Sequence, residues 1–354
     1  MKPITMKPTL IMKPILTTLL LLTALPCFAQ NQTPASVPNR SPADGPFTPQ
    51  AIVPGGIILP LYAPTSPLLK TERLHEPENY NSATGGKGPI TNVINIHNPS
   101  IEVHLVGKDQ PNTGTAVIVV PGGGHKILWV GPEGGDYVPF FAKVGVSTII
   151  LRNRLRVDGY EPKTDAVNDA FQAIRLVRAH AAEWKLDPAK IGMVGFSAGA
   201  ELAAPAALFF DEFSKNNSAP SDPLAKVSAR PDFVGIIYPG PTPFTKAPET
   251  PIPANIPPSF LACAGSGDRV HALWATDYFT PMLKASVPNL EMHIYGRGGH
   301  GVSGKDRDTI PYGTWRERYL EWFRDLGFLG EPGVETKAAA DVAAYAKKKA
   351  SAKP

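Results

Sequence analysis

Seven short apolar runs rich in β-branched residues recur through the middle of the chain: Ile101 to Val106, Thr115 to Val120, Val146 to Leu151, Lys190 to Val194, Phe233 to Tyr238, Ser259 to Cys263 and Leu290 to Tyr295. Several are apolar without alternation, the pattern of parallel strands covered on both faces. Helical stretches lie between them. The clearest is Thr164 to Lys185, where Val167, Ala170, Phe171, Ile174 and Val177 return at steps of three and four, with Thr164 as the expected N-cap and Asp187-Pro188 as the turn into the next strand. Strand and helix in alternation predict an α/β fold with a mostly parallel central sheet and helices on both faces. No internal repeat is visible.

The ends read differently. Lys2, Lys7 and Lys13, the apolar run Ile15 to Leu25 and then Cys27-Phe28-Ala29 have the layout of a secretory signal over residues 1–29, with cleavage expected near Ala29 and export to the periplasm or medium. The apolar run is about half of the roughly 20 residues that cross a bilayer, so no stable membrane insertion is expected. Pro26 disfavours lipid attachment at Cys27, because that position of a lipoprotein signal holds a small residue. Residues 30–89 are proline-rich, above all up to Pro67, and read as an extended arm or linker wrapped on the body. Residues 90–330 form the expected catalytic domain. The Ala- and Lys-rich tail, residues 331–354, shows no apolar stripe wide enough to dock and is expected to fray or stay disordered.

Composition narrows this picture in three ways. An apolar fraction of 43% and a charged fraction of 19% are those of an ordinary globular chain with a sizeable core. Loss of the signal leaves Cys263 alone, so the exported domain stands without an intramolecular disulfide; its flanks, Phe260-Leu261-Ala262, suggest a buried strand thiol. The same cleavage removes three lysines and takes the formal charge from +4 to +1, and five of the remaining positive charges lie between Lys337 and Lys353. The body is therefore near neutral, and no nucleic-acid partner is expected.

The run Lys190 to Val194 leads directly into Gly195-Phe196-Ser197-Ala198-Gly199, followed by the helix-forming stretch Ala200 to Phe210. This is G-x-S-x-G between a strand and a helix, the context in which a tight turn holds a serine hydroxyl exposed on strained backbone. A serine is too weak an acid to attack alone, so a base and an orienting carboxylate must follow. Asp268 comes after the run ending at Cys263, within Gly265-Ser266-Gly267-Asp268. His300 comes after the run ending at Tyr295, within Gly298-Gly299-His300-Gly301. Each of these residues alone has a bland reading as a turn or surface residue; their joint placement after successive strands, in the order Ser, Asp, His, gives a candidate triad. Pro121-Gly122-Gly123-Gly124-His125 follows the run ending at Val120. Its glycines free backbone N–H groups, which assigns oxyanion donors to Gly123 or Gly124 and to the amide of Ala198.

Other signals compete less well. Gly296 to Gly301 satisfies G-x-G-x-x-G, but Val302 to Pro311 is polar and has no helical stripe, so a dinucleotide site is not expected. The eight histidines contain no H-E-x-x-H or similar pair, and no metal or other cofactor is expected. His125 is better placed to touch substrate than to act as base. His271 reads as a rim or surface residue. Trp129 and Tyr137 are expected to pack in the core, with pocket lining, where an aromatic face could stack on substrate, as the alternative.

From about Ile90 to Phe328 the chain resembles the secreted carbohydrate esterases related to acetyl xylan esterases, a group whose bifunctional members also cleave feruloyl esters. Gly114 to Gly124, Ala170 to Trp184, Leu186 to Gly199, Pro231-Asp232-Phe233 and His293 to Gly301 carry the likeness. The resemblance implies a single domain of the α/β-hydrolase fold, no cofactor, and a triad on Ser197, Asp268 and His300. It also implies a serine esterase acting on small acyl esters of carbohydrates such as xylan; a feruloyl or general carboxylesterase and a prolyl oligopeptidase-like peptidase are the alternatives. The residues before Ile90 are too few and too proline-rich for a peptidase propeller, and a non-catalytic scaffold would have lost part of the triad. Two departures stand out: Gly199-Ala200-Glu201-Leu202 occurs where relatives have Gly-Gly-His-Leu, putting Glu201 beside the nucleophile as a candidate substrate contact, and Gly267-Asp268-Arg269 replaces a common pair of aspartates. Oligomeric state is not legible.

Overall fold

The computed structural model describes residues 40–83, 88–217, 222–301 and 311–352. The expected signal segment and the stretch after Gly301 lie outside the described residues. In chain order the strands are β1 (Ile57–Pro60), β2 (Asn79–Ser82), β3 (Ile90–Ile94), β4 (Ser100–His104), β5 (Ala116–Val120), β6 (Ser147–Arg152), β7 (Ile191–Phe196), β8 (Val234–Ile237), β9 (Ser259–Ser266) and β10 (Leu290–Arg297). The helices are α1 (Tyr137–Ala142), α2 (Val167–Ala179), α3 (Ala200–Leu208), α4 (Phe210–Asn216), α5 (Pro243–Lys246), α6 (Arg269–Lys284), α7 (Trp315–Asp325) and α8 (Lys337–Ser351).

Eight strands form one sheet in the order β1-β4-β6-β5-β7-β8-β9-β10, antiparallel at β1-β4 and β4-β6 and parallel from β6 to β10. Successive residues of β5 go to opposite faces: Val117 and Val119 join α1 and α7 in one core, while Ala116, Ile118 and Val120 join α2, α3 and α6 in the other. All seven apolar runs are strands with helices on both faces, as the periodicity predicts.

The helix expected from Thr164 begins its regular part at Val167. Pro162–Ala166 make a wider turn, and the side chain that caps it is Glu161, which accepts from Lys163 N–H; Thr164 is not the N-cap. Pro162, with no N–H to donate, suits that first turn.

The arm is more than a wrapping. Its β1 adds an edge strand to the sheet, and Leu61, Tyr62, Leu69 and Leu74 are buried in the core with α2. Two buried ion pairs fasten it. Glu102 accepts from the Ile52 and Val53 amides and from Arg152. Asp169 of α2 accepts from Tyr62 and from Arg154, which also donates to Leu68 O. The backbone groups of an irregular, proline-rich stretch are thus satisfied by buried side chains.

The tail corrects an expectation. It forms α8, capped by Thr336 through Ala339 N–H, with Ala338, Val342 and Tyr345 buried. Spacings of four and three put these on one face, a stripe too narrow and too alanine-rich to stand out by hydropathy, yet wide enough to dock. Tyr345 donates to Ala285 O, and Lys190 reaches across to Gly330 O and Glu331 O.

His97 is enclosed under the arm, between Tyr160 and Asn95. Burial, followed by the positive charge of Arg73, holds its pKa down at about 4. The fold therefore favours the neutral ring. The stabilisation is complete above the unfolded value of about 6.5 and is lost as pH falls towards about 4. Urea unfolding across that window is expected to show a smaller loss of stability in His97→Gln than in the native protein; equal losses would remove His97 from the acid sensitivity.

Candidate active site

The parallel strands end on one edge of the sheet, where their following loops deliver the chemistry. Ser197 directly follows β7 with φ of 51°, the left-handed backbone of a strained turn. The flanking glycines are obligatory there: a Cβ at Gly195 would lie 2.3 Å from Gly199 O, and one at Gly199 would lie 2.0 Å from Val120 O. Asp268 ends the loop after β9, and His300 lies three residues past the end of β10.

These loops bring the three candidates together. His300 donates through Nδ1 to Asp268 Oδ2 at 2.9 Å. With that proton fixed by the carboxylate, the neutral ring presents Nε2 as an acceptor, 2.8 Å from the Ser197 hydroxyl. Asp268 is 5% exposed, so water competes little for its charge. The arrangement can take a proton from Ser197 and hold the resulting imidazolium against a buried carboxylate.

The glycine loop sits above β5 beside this relay. The Gly122 amide donates to Glu133 Oε2 at 2.7 Å, so it is already committed. Gly123 adopts φ of 130°, and a Cβ there would meet Ile127 O at 2.1 Å. Gly124 has φ of 63° with open space around it. Ala198 follows the serine at the start of the turn into α3.

The remaining candidates divide. His125 is 5% exposed and points at Glu201, with 3.5 Å between Nε2 and the carboxylate. Glu201 also closes on Gly240, whose amide lies 3.4 Å from Ser197 O, and its charge favours protonation of His271. It therefore faces the site and not open solvent. Trp129 is 38% exposed, on a loop whose amide returns to Gly122 O; it is not a core residue. Tyr137 is buried against Phe196 and Trp315 and belongs to the core.

Three residues of the site escaped the sequence reading. His271, expected at the rim, donates through Nδ1 to Asp268 Oδ1 and stacks on His300 with ring centroids 3.8 Å apart. Burial, and then the neighbouring charge of His300, hold its pKa below the usual histidine value. Its spacing of three from Asp268 at the start of a helix was the available signal. Glu133 is buried and accepts from Gly122 and from the Tyr238 hydroxyl at 2.8 Å; burial raises its pKa. Tyr238 in turn meets the His300 ring edge-on at 5.0 Å. Nothing local marked Glu133 in Gly131-Pro132-Glu133-Gly134-Gly135, because its partners sit in the loops that follow β5 and β8. Donor atoms of Asp268, His271 and His300 all lie within 4.8 Å of one another, a spacing that follows from the two imidazoles sharing one carboxylate. Cys263 is buried in β9, its thiol pushed up to about 12 by burial, and is unsuited to nucleophilic work.

Comparison with known proteins accords with this geometry. The BD-FAE family model matches residues 106–250. The acetylxylan esterase of Xylanibacter ruminicola is 25% identical over 227 residues, covering 61% of this chain and 45% of that protein. The chain spans less than half the length of the curated relatives it matches. Among solved structures, the acetyl ester-xyloside bifunctional hydrolase from Caldicellulosiruptor lactoaceticus superposes with a TM-score of 0.57 at 27% identity, over 66% of this chain and 89% of that one. The chain has the α/β-hydrolase fold and is similar to esterases. Thermogutta terrifontis esterase 2, at TM-score 0.59 and 21% identity over 78% of this chain and 97% of its own, shares the hydrolase fold. The family match ends at residue 250, so Asp268 and His300 lie beyond it and are placed by the fold alone. No helix among the described residues is long and apolar enough to cross a membrane.

Proposed function

We propose that the protein is a serine esterase that removes small acyl groups, acetyl first among them, from carbohydrates such as xylan through an acyl-enzyme. The observation that carries this reading is the unbroken chain of hydrogen bonds Ser197–His300–Asp268. His300 Nε2 takes the Ser197 proton as Oγ attacks the ester carbonyl, and Asp268 steadies the imidazolium. The tetrahedral oxyanion is held by the amides of Ala198 and of Gly123 or Gly124, and its collapse expels the sugar hydroxyl, protonated by His300. Water then repeats the sequence on the acyl-enzyme and restores the serine. His125, Trp129 and Glu201 are our candidates for substrate contact, and residues 1–29 for an export signal, testable by N-terminal sequencing of secreted protein.

The substrate class is tested with acetylated xylan, acetylated monosaccharides, methyl ferulate, longer-chain esters and a peptide anilide. The acetyl esters are expected to give the highest kcat/KM; faster turnover of the anilide would overturn the assignment. Gly123→Ala is expected to lower kcat on p-nitrophenyl acetate about 100-fold, because the new Cβ must displace the loop and one oxyanion donor is worth about 3 kcal/mol. An unchanged kcat would take Gly123 out of the oxyanion site.

A further inference from the structure

We propose that His271 is a positioning residue for the triad, holding Asp268 through its second oxygen and His300 through ring stacking. The inference rests on the triad assignment above. A carboxylate that serves a catalytic imidazole through one oxygen is free to turn about its Cβ–Cγ bond unless the other oxygen is also bound. Here Oδ2 takes the His300 proton and Oδ1 takes that of His271, so the plane of the carboxylate is set by two imidazoles. Asp268 has no acidic neighbour to replace it, since the loop reads Gly267-Asp268-Arg269.

His300 needs such support. Its loop is Gly298-Gly299-His300-Gly301, with Gly298 and Gly301 at positive φ, and its side chain is 38% exposed. Backbone of this kind restrains a side chain little. The ring is held instead from two directions: face to face by His271, at 3.8 Å and 25°, and edge-on by Tyr238, at 5.0 Å and 68°. His271 is itself fixed on the first turn of α6 and braced by the edge of Trp274 at 5.1 Å. A rigid helix thus lends its order to a glycine-rich loop. The enclosed His271 ring resists protonation, which keeps a second positive charge away from the imidazolium formed during reaction.

The test compares His271→Ala with His271→Asn, whose amide N–H stands where Nδ1–H does. The readouts are kcat and KM on p-nitrophenyl acetate, the rate of fluorophosphonate labelling of Ser197, and circular dichroism to confirm folding. His271→Ala is expected to lose about 10- to 100-fold in kcat and in labelling rate, the range found when a partner that orients a reacting group is removed, with KM within about threefold. His271→Asn is expected to recover several-fold of that loss. A kcat within twofold of the native enzyme in His271→Ala would overturn the proposal, as would a rise in KM alone, which would make His271 a substrate contact. An asparagine variant that folds but is no better than alanine would leave no role for the hydrogen bond to Asp268 and would equally overturn it. Failure of the native protein to label would instead count against the triad assignment itself.

Discussion

Replacing Ser197 by alanine is expected to lower kcat on p-nitrophenyl acetate by at least about 10⁴-fold, close to 5.5 kcal/mol of transition-state stabilisation. The size follows from the relay. In the proposed relay His300 and Asp268 act only through the hydroxyl 2.8 Å from Nε2, so without it they would have no proton to move and no acyl-enzyme could form. Rate above background would persist through the backbone donors near Gly123 and Ala198. His300→Ala is expected to cost nearly as much and the double variant little more, because the two side chains work as a unit. Thermal stability should change little in Ser197→Ala: the backbone stays at positive φ with either side chain, and the substitution removes one hydrogen bond on a partly exposed ring. Parallel kcat and melting measurements check both halves. Activity within tenfold of the native protein would end the serine-esterase reading.

The largest loss of stability is expected from Asp169→Ala. Asp169 and Arg154 are 0% and 1% exposed, and the guanidinium meets the carboxylate at 2.7 to 3.1 Å. The same carboxylate accepts from the Arg154 amide and from Tyr62. Alanine leaves a buried guanidinium without its counter-charge, which costs about 3 to 5 kcal/mol. In a domain of about 300 residues that corresponds to a fall of roughly 5 to 8 °C in Tm. Because Arg154 also donates to Leu68 O and Asp165 O, the arm should loosen with it. Limited proteolysis is expected to cut between residues 60 and 75 first. The double change Arg154→Met, Asp169→Leu should regain much of the lost stability, since an apolar pair of similar volume needs no counter-charge. A loss below about 1 kcal/mol in the single variant would show that water reaches this pair.

The legible parts of the site share one feature, which is that the residues concerned answer to their own neighbours in sequence. β5 to β9 announced themselves by being apolar on both faces, and Ser197 by two glycines without which the turn cannot close. His300 and Asp268 were found through their place after consecutive strands. His271, only three residues beyond Asp268, was read as a rim residue because the His300 ring faces it only once the loops after β9 and β10 are side by side. Glu133 is a stronger case: its two partners, Gly122 and Tyr238, stand 11 and 105 residues away.

By itself, then, the chain determined the strand and helix periods, the elbow at Ser197 and the placing of Asp268 and His300 after successive strands, because these depend on φ, on side-chain period and on short-range sterics. The tertiary structure alone decided that the proline-rich arm supplies an edge strand, that α8 docks through Ala338, Val342 and Tyr345, and that Asp268 is shared between two imidazoles. These are contacts between segments far apart in the chain or between loops with no period of their own. Their energy comes from burial and from pairing with a distant partner, neither of which a local pattern records.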